Sequence, residues 1–353
     1  MSANSNWRSP ESPGRGSEKR RVSRARPQVS AVAATAAPKR KMELVASVSR
    51  SSGLEKEGDA LTSFDLQDEY REFIQGKLDD LWERHPRNSA ETESEARQRL
   101  DAQENVLILF KKLREGIISS KRVGKFTLEV YETSLYLSVL FDSPRQISPV
   151  IPALVSYLQL SPMAPHPHRT QPILVCLLYH LVAGYPSQRE FHAQFAALPK
   201  DFFPDDSPAR VWMTSLAGCI RARNYTKLDR MTQLSALPVT EDPVDTPVAT
   251  LSLSPESDLE LGRKAFFHLV DSLRNKTREM AWTVMRAAYR ELSCQADPRI
   301  DTRSWLGRSL GLLSSIPGGT NVDLDRWLER ESGFGHIRKK DGVDGRWIVC
   351  KPR

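Results

Sequence analysis

Residues able to do chemistry are sparse in this chain of 353 residues. It carries no G-x-x-x-x-G-K-[ST] phosphate loop, no G-x-G-x-x-G turn and no H-E-x-x-H helix, the spacings that hold a nucleotide or a zinc ion. His166 and His168 flank Pro167 as the closest histidine pair, but Pro162, Pro165 and Pro172 mark a loop there, and a metal needs further donors. His180 and His192 have apolar flanks, which suit packed rather than catalytic imidazoles. Asp201, Asp205 and Asp206 surround Phe202-Phe203-Pro204 in the manner of a turn. Cys176, Cys219, Cys294 and Cys350 are too widely spaced for a zinc ribbon and follow no secretory signal, so free thiols in a reducing compartment are expected. The expectation is a non-enzymatic protein with no cofactor, no metal and no small-molecule substrate.

Charge is the more informative chemistry. Residues 1–45 hold ten Lys/Arg against three Asp/Glu, an excess of seven that equals the net charge of the whole chain, so residues 46–353 are balanced. The basic character therefore belongs to a tail and to local patches. Within the tail, Lys19-Arg20-Arg21 and Lys39-Arg40-Lys41 form two clusters separated by 17 residues, the spacing of a bipartite nuclear import signal. The second patch is at the C-terminal end, where residues 335–353 hold six Lys/Arg against two Asp. Arg338, Lys339, Lys340, Arg346 and Lys351, beside a helix carrying Arg326 and Arg330, are the candidate phosphate contacts. An edge hairpin kept soluble by its charges would have the same composition.

The elements that must position these residues are mostly helices. Residues 1–60 lack a periodic apolar pattern and are expected to be a disordered basic tail. From Phe64 the period becomes 3.6, with Leu66, Tyr70, Phe73, Ile74, Leu78, Leu81 and Trp82 on one stripe, and a second helix is expected over 90–115. Fifteen of the 23 prolines fall between Pro144 and Pro255 and punctuate short helices at about 126–141, 150–160, 172–183, 187–197, 208–222 and 224–234. Ser207 reads as a cap before Pro208, and Ser187 with Glu190 as a capping box. Residues 240–254 read as a linker, followed by helices at 256–273 and 276–293. Then come an extended piece at 299–301, helices at 302–312 and 323–331, and a hairpin of 336–339 and 346–350 about Asp341-Gly342 and Asp344-Gly345. Helix, short strand, helix, helix, hairpin is the order of a winged helix. The longest apolar run, Ile173 to Tyr179, is far short of a membrane span.

Several segments resemble one family. Phe126 to Thr133, FTLEVYET, is similar to the F-T-[VL]-E-V-Y-E-T helix of the GANP family (germinal-centre-associated nuclear protein and its yeast mRNA-export relatives), and KKLREGIISSKRVGK before it occupies the place of that family's preceding helix and linker. Ile220 to Tyr225 resembles the A-x-x-x-G-N-Y helix end. Leu273-Arg274 with Met285 to Arg290 resembles the R-x-x-A-L-x-x-M-x-[KR]-A-[YF]-R helix. The order agrees over roughly residues 100–330. The chain departs from the family where Thr226 to Arg230 replace an aromatic pair and where Asp142 to Gln146 replace a G-D-x-x-[EQ]-F-N-Q-C stretch.

The expected fold is all-α: a disordered tail (1–60), an α-solenoid of TPR-like helix pairs (61–255), and helices leading into a C-terminal winged helix (256–353). The resemblance implies that the winged helix is of the PCI type shared with the proteasome lid, the COP nine signalosome and translation initiation factor three. It implies a nuclear scaffold in transcription-coupled mRNA processing or export, with another PCI-type subunit, a small acidic stabilising subunit and RNA as partners, and no membrane. The alternative is a PCI subunit that binds only protein, in a lid-like, signalosome-like or initiation-factor complex.

Overall fold

A computed structural model describes residues 42–45, 47, 60–85, 91–160, 170–199, 202, 204–238, 258–295, 301–314 and 321–351. Both basic clusters of the tail, Lys19-Arg20-Arg21 and Lys39-Arg40-Lys41, lie outside them, as do His166, His168 and Asp201. The far end of the expected tail is packed: Val45 and Ser47 are buried, Lys112 donates to the Val45 carbonyl at 3.0 Å, and Ser47 donates to the Glu115 carboxylate. Sequence missed this because two small anchors on a neighbouring helix leave no periodic pattern.

The described chain is mostly helical. Helices α1 (Phe64–Arg84) and α2 (Glu93–Ser120) are antiparallel, with Gln67 near the start of one donating to Ser120 near the end of the other at 2.9 Å. Thr92 caps α2 in a reciprocal box with Glu95, so this helix starts three residues later than its apolar pattern suggested. Next come α3 (Lys125–Leu140), α4 (Pro144–Leu160), α5 (Thr170–Ala183), α6 (Arg189–Ala197), α7 (Pro208–Arg221) and α8 (Tyr225–Met231). Ser207 caps α7 as expected, accepting from Arg210 N. The box expected at Ser187 and Glu190 does not form, since α6 starts one residue later with Gln188 at its N-cap.

Helix α4 begins at Pro144, before the start expected at 150, and runs through Pro149, where a break was expected, and Pro152, which was expected in a first turn. Each interior proline removes a hydrogen bond, at a cost of about 3 kcal/mol. The stripe of Ile147, Val150, Ile151, Leu154 and Leu158 is fully buried, and that burial outweighs the loss. Tyr131 and Leu135 in α3 face the core, and the Tyr131 and Tyr157 rings meet at 5.1 Å, joining α3 to α4.

Helix α9 (Asp258–Ala288) is one continuous helix of 31 residues where two were expected. Its first half supplies Ala265, Phe266, Leu269, Val270 and Leu273 to the larger core, between α3 and α5. Gly262 permits that approach, because a Cβ there would meet the Gln171 amide at 2.7 Å and the Tyr136 ring at 2.9 Å. The second half supplies Ala281, Trp282 and Met285 to a smaller core with α10 (Thr302–Ser309), α11 (Leu324–Gly333) and three short strands. The polar stretch Arg274 to Arg278 looked like a gap between helices. It is where α9 passes from one core to the other, and its side chains find partners at both: Lys276 donates to the Val182 carbonyl at the end of α5, and Arg278 donates to the Leu310 and Gly311 carbonyls at the end of α10. The domain boundary expected at 255 lies just outside the described residues.

Arg274 is the most enclosed of these groups. It meets Asp229 at 2.6 Å with both side chains nearly inaccessible (4% and 3% exposed), and it also donates to the Thr232 hydroxyl and to the Leu313 carbonyl. Removing one member of such a pair strands a buried charge, at a cost of about 3–5 kcal/mol. Asp229→Ala should therefore lose about that much stability in a denaturant titration, and Arg274→Met with Asp229→Leu should lose much less. Equal losses would mean that packing, not charge, governs the site.

The strands are β1 (Glu291–Ser293), β2 (Ile337–Lys339) and β3 (Arg346–Val349), antiparallel in the order β1-β3-β2. Both hairpin strands lie where the sequence placed them, and Gly342 and Gly345 take positive φ (73° and 71°) in the turn. Strand β1 was not expected, since residues 276–293 read as helix. The expected helices at 302–312 and 323–331 are observed as α10 and α11.

Candidate nucleic-acid interface

Side chains alternate across a sheet, and burial identifies its two faces. Leu292, Trp347, Ile337 and Val349 point inward onto α10 and α11. Register then puts Arg338, Ile348 and Glu291 side by side on the outer face. The next row holds Arg346 and Ser293, with Lys340 joined to Arg346 by a backbone bond of 3.0 Å. Three of the seven candidate cations, Arg338, Lys340 and Arg346, thus share one exposed face.

The other four are elsewhere. Lys339 has the inward parity of Trp347; its Nζ sits 5.4 Å from that ring and 3.8 Å from Glu329 of α11. Arg330 pairs with Glu331 at 3.4 Å, and Glu331, itself buried, accepts from His336 Nδ1 at 2.7 Å, which ties α11 to the start of β2. Arg326 lies one turn earlier on α11, exposed and without a side-chain partner among the described residues. Lys351, also exposed, follows β3.

The face carries an opposing charge that sequence did not reveal. Glu291 bonds Lys340 at 3.0 Å and Arg346 at 3.3 Å. The Lys340 hydrogen bond, with the charges of Lys340 and Arg346, holds the Glu291 carboxyl below the usual carboxylate range. Its only sequence signal is the alternation Glu291-Leu292-Ser293-Cys294, exposed then buried, a period of two hidden at the end of a strongly helical run.

One catalytic spacing does occur in the chain. Gly307-Arg308-Ser309-Leu310-Gly311 has G-x-S-x-G spacing, but a nucleophile elbow presents its serine on a strand-to-helix turn. Here Ser309 closes α10, is buried, and its Oγ has no hydrogen-bond partner among the described residues to activate it. His180 is half-buried with its pKa lowered by burial, and burial pushes the Cys176 thiol up to about 12, away from reactivity. Among the described residues no group of three His, Cys, Asp or Glu is placed to share a metal ion, and no helix is long and apolar enough to cross a membrane.

The family-like segments are largely structural. Thr127, Leu128, Val130, Tyr131, Glu132 and Thr133 of FTLEVYET are buried, and Glu129 pairs with Arg71 of α1 at 2.7 Å. No family model and no curated protein matches the chain.

Because Glu291 competes for two of the three cations, Glu291→Gln should shift elution from an immobilised polyanion such as heparin to higher salt. Its depressed pKa means the pairing persists at neutral pH and is lost as pH falls below the ordinary carboxylate range, so the shift should shrink there. Identical elution at neutral pH would show that the Glu291 pairing does not limit polyanion binding by Lys340 and Arg346.

Proposed function

We propose that the protein is a non-enzymatic nuclear scaffold, a divergent member of the GANP-type family, whose C-terminal elements form a PCI-type winged helix that contacts RNA. The observation that supports it is the outer sheet face, where Arg338, Lys340 and Arg346 stand together opposed by one carboxylate. The order α9-β1-α10-α11-β2-β3 agrees with such a module, in which the β2–β3 hairpin is the wing. The helices before it would dock a second PCI-type subunit and, beside it, a small acidic one.

Phosphate binding is read through salt. Removing one phosphate-binding cation should flatten the log–log salt dependence of single-stranded RNA binding by about 0.7. The triple change Arg338→Ala, Lys340→Ala and Arg346→Ala in the full chain should lower the slope by about two units and leave the melting temperature unchanged. An unaltered slope would favour the scaffold that binds protein alone.

Nuclear entry would rest on the tail. Replacing Lys19, Arg20, Arg21, Lys39, Arg40 and Lys41 with Ala should move a fluorescently tagged chain to the cytoplasm. Unchanged nuclear accumulation would remove the tail from the proposal.

A further inference from the structure

The Met285 to Arg290 segment contains residues that neither core nor wing accounts for. Met285 is buried in the smaller core, and Arg286 Nε donates to the Cys350 carbonyl at 3.0 Å. Val349 N donates to the Arg290 carbonyl at 2.9 Å, so the chain from 349 to 351 runs beside residues 286–290. Tyr289, the first residue beyond α9, is packed by neither of these bonds. The residue is 43% exposed, against 5% or less for the core aromatics Trp282, Trp327 and Trp347 of the same module.

Tyr289 meets Trp305 of α10 edge-to-face, with ring centroids 5.6 Å apart. Trp305 is half-buried against the smaller core, so it holds the tyrosine from one side while leaving ring surface open. Arg290 follows Tyr289 in sequence, and Lys351 lies two residues beyond Val349, whose N bonds the Arg290 carbonyl; both are exposed and without an acidic partner among the described residues. Glu291, the adjoining carboxylate, is committed to Lys340 and Arg346. Asp301, the cap of α10, is committed to Ser304 N and Arg308. A supported, partly open aromatic ring thus stands in a segment with two cations that have no acidic partner among the described residues.

We infer that Tyr289, backed by Trp305 and with Arg290 next to it in sequence and Lys351 on the adjoining end of the chain, is a stacking site for one base of a single-stranded polynucleotide. A ring face offers stacking that every base can use, and flanking cations suit the phosphates on either side. A duplex keeps its base faces stacked inside, so the site selects single strands. The inference rests on the RNA-binding reading above and narrows it: the wing needs only phosphates, whereas this site needs a base.

The test compares oligouridylate, oligodeoxythymidylate and an abasic deoxyribose-phosphate chain, all 12-mers, by fluorescence anisotropy with the full-length protein. Both base-bearing oligomers should bind about tenfold more tightly than the abasic one. Tyr289→Ala should erase that advantage without changing abasic binding, and Tyr289→Phe, which keeps the ring, should retain it. The wing triple variant should weaken all three oligomers by the same factor. No advantage from bases, or an equal loss on all three oligomers in Tyr289→Ala, overturns the stacking site while leaving the wing intact. An advantage that survives Tyr289→Ala overturns it too, and binding to none of the three overturns both.

Discussion

The rest of the described structure depends on satisfying an arginine placed in the middle of a helix and shut away from water. Arg274 meets Asp229 of α8, the Thr232 hydroxyl just beyond it and the Leu313 carbonyl beyond α10. Burying a guanidinium is costly, and only a complete set of partners offsets that cost. The partners come from two separate parts of the chain, residues 229–232 and 313, so the helical array, α9 and the C-terminal module must be in place together. Arg278 and Lys276 extend the same logic one turn further, donating to carbonyls that end α10 and α5. A polar belt around α9 thereby does at the junction what apolar stripes do on either side of it.

That belt also explains how far the sequence could be read. Apolar periodicity located α1, Ser207 marked the start of α7, and the two Asp-Gly pairs placed the hairpin, because each of these is decided by neighbours along the chain. Arg274 to Arg278 misled for the opposite reason: their partners lie 32 to 94 residues away, and a polar stretch without visible partners reads as a break. The prolines of α4 misled likewise, since only the packed stripe shows that the helix survives them. The site was legible as composition and not as arrangement. Sequence supplied the cations, but strand register separates Arg338, Lys340 and Arg346 from Lys339, and only tertiary structure brings Glu291 to them.

The two proposed contact surfaces flank the same short sheet and differ in chemistry. On the outer face, cations and a carboxylate compete, so affinity there is governed by charge and ionic strength. Around Tyr289 the adjoining carboxylates are committed to other cations and the attractive surface is a ring, which salt affects less. A polynucleotide engaging both would be held by one interaction that reports the length of backbone contacted and by another that reports whether a base is free to turn out. Such a division favours unpaired segments over duplexes without reading their sequence.

The continuity of α9 constrains the gene as well as the protein. A helix advances by about 100° and 1.5 Å per residue, so inserting or deleting one residue between Phe266 and Trp282 would swing everything downstream around the helix axis. Arg274 would leave Asp229, and the apolar stripe of one half would fall out of phase with the other. Length changes within this segment should therefore be purged in any lineage that keeps the fold, whereas substitutions that preserve its phase can accumulate. Helix α9 acts as a fixed ruler in sequence space, and its residue count is as much a specification of the molecule as the identity of Arg274.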